Sequence, residues 1–221
     1  MPPDFPIDAY ESVHGRVVTA RGNDPLYDHY AGAWNAVAYR FRGAIDSGES
    51  FVASMEAHGS TPEPLERYVQ ERALFEFFSC GFSVFDAAFY TLYTFGAFLE
   101  PEQFKLSSPR EQQLVTPTRM KEAFERAFPT DPILQIFTDI FSDPGYQRWR
   151  EIRNILTHRA APGRRIYVSI GVEDSPPVEW KINNIPFNES VVTSGRNELA
   201  RLTALLLGAT DTFVKMHLTK S

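Results

Sequence analysis

The amino-acid sequence predicts a mainly all-α protein, a single helical bundle that carries one inserted β-hairpin. Three observations lead there. Six Asp/Ser/Thr-Pro pairs punctuate the chain at the spacing of helix starts. Between them, apolar residues recur at three- and four-residue steps, the period of an amphipathic helix. The period switches to two in one place only, between residues 165 and 183.

Composition sets the frame. The chain has 221 residues, 43% hydrophobic, 14% aromatic and 23% charged, which is ordinary globular usage and excludes a disordered or fibrous protein. A chain of this length buries enough surface to hold a core without a disulfide or a structural metal. The single cysteine, Cys80, excludes an intrachain disulfide and any multi-cysteine zinc or iron–sulfur centre. A net charge of −6 excludes a polycationic nucleic-acid binder, so any contact with nucleic acid must come from a local patch.

The pairs are Asp24-Pro25, Thr61-Pro62, Ser108-Pro109, Thr116-Pro117, Asp131-Pro132 and Asp143-Pro144. In each, a short oxygen-bearing side chain can accept from a free amide of the first turn, and the proline has its φ preset for a helix. Residues 1–24 precede the first pair and read as an irregular segment. A helix follows from about 25 to 58, with a break expected at Asp46-Ser47-Gly48. The stretch 62–99 predicts the longest helix, and its phenylalanines fall all round the axis, so it should be central and buried on most sides. Shorter helices follow at Arg119 to Phe128, Ile133 to Phe141 and Tyr146 to Arg159. Ile166, Val168 and Ile170, then Val178, Trp180 and Ile182, alternate with polar residues around a Pro-rich loop. They predict a hairpin insertion over 165–183, with strands near 165–170 and 178–183. Leu199, Leu202, Leu206, Ala209 and Phe213 give the last helix its apolar stripe. No linker is long enough to split the chain, so residues 1–221 read as one domain.

The run Phe77 to Leu99 is apolar enough to raise a membrane span. Asp86 near its middle and the absence of basic flanks favour a buried core helix instead. The N-terminus lacks a basic start followed by an apolar run, so the expectation is a cytoplasmic protein with no membrane partner.

The helix from Tyr146 to Arg159 carries the chemistry. At roughly 100° per residue, Trp149, Ile152, Ile155 and Leu156 gather on one side, and Arg150, Arg153, Asn154 and His158 on the other. A histidine can move a proton near neutral pH. A guanidinium can hold a charged phosphate oxygen with two parallel hydrogen bonds. Those groups suit cleavage of RNA without a metal. Arg153 and His158 lie roughly 140° apart on the helix, so one copy could not easily enclose a phosphate with both. Two copies facing each other across a dimer could.

Arg153-Asn154-Ile155-Leu156-Thr157-His158 resembles the R-x(4–6)-H signature of the HEPN superfamily, in which a polar residue often follows the arginine. The resemblance implies a small, usually dimeric helical bundle. In many members it is a metal-independent endoribonuclease of toxin–antitoxin, phage-defence or CRISPR-linked systems. It places Arg153, Asn154 and His158 as the catalytic set. It also implies a polar or acidic residue on an earlier helix beside the site, for which Asp86 is the candidate. The inserted hairpin departs from the minimal bundle.

Around the motif, Arg150, Arg159, Arg164 and Arg165 are the candidate RNA-binding cations; with Arg148 and Arg153 they form a basic stretch opposed in sequence only by Glu151. His14, His29, His58 and His217 are scattered and read as surface or helix-end residues. No H-E-x-x-H, paired E-x-x-H or nucleotide-loop string is present, so neither a metal nor a cofactor is expected. The expected partners are a second copy of the chain, RNA and an antitoxin protein. The alternative is a non-catalytic HEPN-like helical module that binds a protein or a nucleotide.

Overall fold

The computed structural model describes residues 1–158, 163–165 and 178–218. Helices make up 76% of them, in the order α1 (Ile7–Arg21), α2 (Tyr27–His58), α3 (Pro64–Leu99), α4 (Pro109–Gln113), α5 (Pro117–Ala127), α6 (Ile133–Ser142), α7 (Pro144–His158) and α8 (Glu189–His217). Among the described residues between α7 and α8 lie three short strands, β1 (Arg164–Arg165), β2 (Glu179–Ile182) and β3 (Ile185–Pro186).

Local chemistry explains most of the helix starts. Ser108 caps α4 through a capping box with Glu111, and Thr116 accepts from the Arg119 amide at the head of α5. Asp131 accepts from the Ile133 amide and Asp143 from the amides of Gly145 and Tyr146. Asp24 accepts from the Leu26 amide, just before α2. Thr61-Pro62 is the exception: α3 starts two residues later, with Glu63 before Pro64 and no side-chain cap.

Two other expectations are corrected. The N-terminal segment is not irregular; α1 starts after Pro6 with no side-chain cap, so it lacks the punctuation of the others. Packing holds it: Val13 and Val17 are buried, and Tyr10 stacks on Trp34 with ring centroids 4.8 Å apart. The break at Asp46-Ser47-Gly48 is absent, and α2 runs through it. Gly48 is there for space, since a Cβ would meet Val192 and Phe77 at 3.0–3.1 Å.

The centre is an antiparallel α2–α3 hairpin, the most extensive helix pair. Phe77, Phe78, Phe82, Phe85, Phe89 and Phe95 of α3 are all buried, because α2, α5, α7 and α8 cover it on successive sides. By length and composition α3 could cross a membrane, yet 72% of its apolar window is packed inside the protein.

The sheet is antiparallel in the order β1-β2-β3, with Arg164 opposite Trp180 and Ile182 opposite Ile185. The expected strand 165–170 is seen only at its start, since 166–170 lie outside the described residues. The second expected strand is found as β2. It turns back through Asn183-Asn184 into β3, which the sequence reading did not anticipate. Asn183 has φ 53°, a left-handed conformation that asparagine tolerates well.

Candidate functional site

The aromatic face of α7 sets where its polar groups stand. Trp149 is buried to 1% exposure between Phe77 and Phe78, each ring centroid 4.9 Å away. It enters space left at Gly81, where a Cβ would lie 2.3 Å from the indole. Tyr146 packs on Phe82 and Phe85. One turn after Trp149, this register brings Arg153 opposite Asp86 of α3.

Arg153 Nη2 donates to Asp86 Oδ2 at 3.0 Å, and its Nη1 donates to Asn154 Oδ1 at 3.1 Å. The guanidinium lies over the Phe82 ring, 4.5 Å from its centroid. Three of the predicted site residues thus meet: Arg153, Asn154 and Asp86. Burial pushes the Asp86 carboxyl above its ordinary range, against the pull of Arg153 and Arg40. His158 does not join them. It ends α7, is exposed, and has no hydrogen-bond or ion-pair partner among the described residues.

The basic stretch disperses. Arg164 is corrected outright: its side chain is 2% exposed, so it cannot meet a phosphate. It donates to Ser60 O and to Gln70 Oε1, and its guanidinium lies 3.8 Å from the Trp180 ring centroid. Buried Gln70 in turn donates to Ser54 O and Gly59 O. Arg164 is a bolt between the sheet and the α2–α3 turn. Arg148 pairs with Glu198 of α8, a carboxylate remote in sequence. Arg150 is exposed and donates to Gln147, and Arg165 is exposed on β1. Arg159 lies outside the described residues.

Arg153 and Asp86 line two adjoining clefts. The first, about 620 Å³, runs between α2, α3 and the start of α5 and is bordered by His29, Ala36, Arg40 and Tyr90. The second, about 530 Å³, is bordered by Phe82, Tyr146, Gln147, Arg150 and Asn154. Both volumes suit a small ligand. His158 lines neither cleft.

Arg40 and Tyr90 went unread in the sequence, and His29 was read only as a surface or helix-end residue. A signal was there: His29, Ala33, Ala36 and Arg40 recur at helical steps of four, three and four, a stripe of small residues bounded by two cationic types. Tyr90 follows Asp86 by one turn. Tyr90 Oη stands 3.2 Å from His29 Nδ1, and Gln112 Nε2 stands 3.5 Å from His29 Nε2. Gln112 Nε2 also donates to Leu106 O, which fixes it as the amide nitrogen. These contacts hold the His29 ring between Tyr90 and Gln112. The Tyr90 hydroxyl is thereby fixed at the border of the first cleft. Among the described residues, no three His, Cys, Asp or Glu side chains converge as metal ligands.

No protein-family model, curated protein or solved structure matches this chain.

Proposed function

We propose that this chain is a HEPN-type helical bundle that cuts RNA without a metal, as a two-fold dimer with a site shared between copies. The observation that carries the reading is the 3.0 Å contact between Asp86 and Arg153. It supplies an acidic residue from an earlier helix beside the motif arginine, in an open cleft.

The chemistry follows from the groups. Arg153 holds the non-bridging oxygens of a phosphodiester, with Asn154 steadying its guanidinium. His158 of a second copy moves the proton, because within one copy His158 lines neither cleft. The ribose 2′-oxygen loses its proton and attacks the adjacent phosphorus. The bond to the 5′-oxygen breaks, leaving a 2′,3′-cyclic phosphate and a 5′-hydroxyl. DNA lacks the attacking group. A toxin or phage-defence role, with an antitoxin protein as partner, belongs to the same reading.

The test is RNA incubated with EDTA and the wild-type, Arg153→Ala or His158→Ala protein. Wild type is expected to yield cyclic-phosphate ends, and each variant to lose about 10²–10⁴ in rate. Undiminished cutting by His158→Ala would reject the site. The exposure of His158 outside both clefts favours a second reading, a non-catalytic module; RNA binding without cleavage by wild type would select it.

A further inference from the structure

The Asp86–Arg153 pair belongs to two clefts at once. Those two residues and Pro117 border both, so the pair stands where the compartments join. The compartments differ in chemistry. The first offers the aromatic ring of Tyr90, the guanidinium of Arg40, and an apolar floor of Ala33, Ala36 and Ala87. The second offers the Asn154 amide, whose oxygen is engaged by Arg153 and whose Nδ2 is left to donate, beside the rings of Tyr146 and Phe141. Their volumes, about 620 and 530 Å³, are similar.

We propose that the two clefts hold two successive ribonucleotides, with the phosphodiester that joins them lying on Arg153. This rests on the reading that Arg153 holds an RNA phosphate. It extends that reading by assigning the flanking nucleosides, one against Tyr90 and Arg40, the other against Asn154 and the aromatic wall of Tyr146 and Phe141. A cation alone recognises any phosphate. A cation between two compartments recognises a linkage with a nucleoside on each side, so a dinucleotide binds better than either half. Stacking on Tyr90 tolerates any base, whereas the Asn154 amide reads an acceptor on a base edge.

The experiment is calorimetric titration of the full chain with three probes: a dinucleoside monophosphate blocked by 2′-O-methyl, adenosine 5′-monophosphate, and inorganic phosphate. The dinucleotide is expected to bind at least about tenfold tighter than the mononucleotide, and the mononucleotide tighter than phosphate. Arg153→Gln should weaken all three. Tyr90→Leu and Asn154→Ala should each weaken the dinucleotide by about fivefold or more. The mononucleotide should respond to only one of them, since it fills one compartment. Glu125→Gln, on α5 away from both clefts, should bind like wild type; circular dichroism of each variant confirms its fold.

A dinucleotide that binds no tighter than the mononucleotide, or that ignores both Tyr90→Leu and Asn154→Ala, overturns the proposal. The same preparations are assayed on RNA. Cleavage dependent on Arg153 and His158 with no two-compartment binding leaves the ribonuclease reading standing and removes this one. Two-compartment binding without cleavage does the reverse.

Discussion

Asp86 holds its charge in a setting that works against it. Burial raises its pKa, and Arg153 and Arg40 only partly offset this. A carboxyl whose folded pKa is raised contributes stability below its unfolded pKa of about 4. That contribution is lost as the pH rises through the folded value. Asp86→Asn does not titrate, so denaturant melts from pH 3 to 7 should show the variant gaining on wild type as the pH rises. The gain should be small, because 37% of the Asp86 side chain is exposed. A variant that loses ground instead would mean that the arginines dominate. Arg164 gives the opposite case. Truncating it to alanine removes a desolvated ring contact and charge-assisted bonds, so unfolding should become easier by about 2–4 kcal/mol. Affinity for RNA at room temperature should stay unchanged. Sequence alone placed Arg164 beside Arg150 as an RNA-binding cation, since a cation near a helix end looks the same whether it faces water or a tryptophan. Burial decides, and burial depends on the α2–α3 turn far away in sequence.

At the scale of elements, the starts capped by a side chain were legible because the cap and its amide lie within three residues. Uncapped α1 was not, since its reason to be helical is the contact of Val13, Val17 and Tyr10 with the bundle. Gly48 read as a breaker because its neighbour across the helix pair is absent from the string. The motif itself was legible on α7, and its partner Asp86 stood out as a lone charge in an apolar run. The meeting of α3 with α7 is tightest at Gly81. Gly81→Ala would place a methyl 2.3 Å from the Trp149 ring. It should cost about 1–3 kcal/mol and lower the melting temperature by about 2–12 °C, read by differential scanning calorimetry. A melt equal to wild type would show that Trp149 can step aside.

For the whole molecule, the all-α class was legible, since a bundle is built from one repeated pattern. Circular dichroism should report well above 45% helix, a value that ordinary mixed proteins do not reach. The third strand was not legible: it is two residues long and rests on a turn at Asn183. The clefts were not legible either, because each gathers residues from at least three helices. Assembly is tested separately. Light scattering at micromolar protein should give twice the mass of the 25.1 kDa chain. A monomer that still cuts RNA would remove the shared site, because that site takes His158 from a second copy.

Trp149 has one further effect. It fills the space at Gly81 of α3, where a Cβ would lie 2.3 Å away, and touches the Gly195 position of α8 at 3.4 Å, so sliding or rolling α7 would have to move an indole out of the core. The helix is therefore keyed, and under the binding proposed at Arg153 no travel of α7 is expected. The expected adjustment lies in side-chain torsions of Arg153, Asn154 and Asp86. These change in nanoseconds, whereas helix shifts take microseconds or longer. Association should be a single fast phase in stopped-flow mixing, linear in ligand concentration, without the saturating slow step that a moving helix would add.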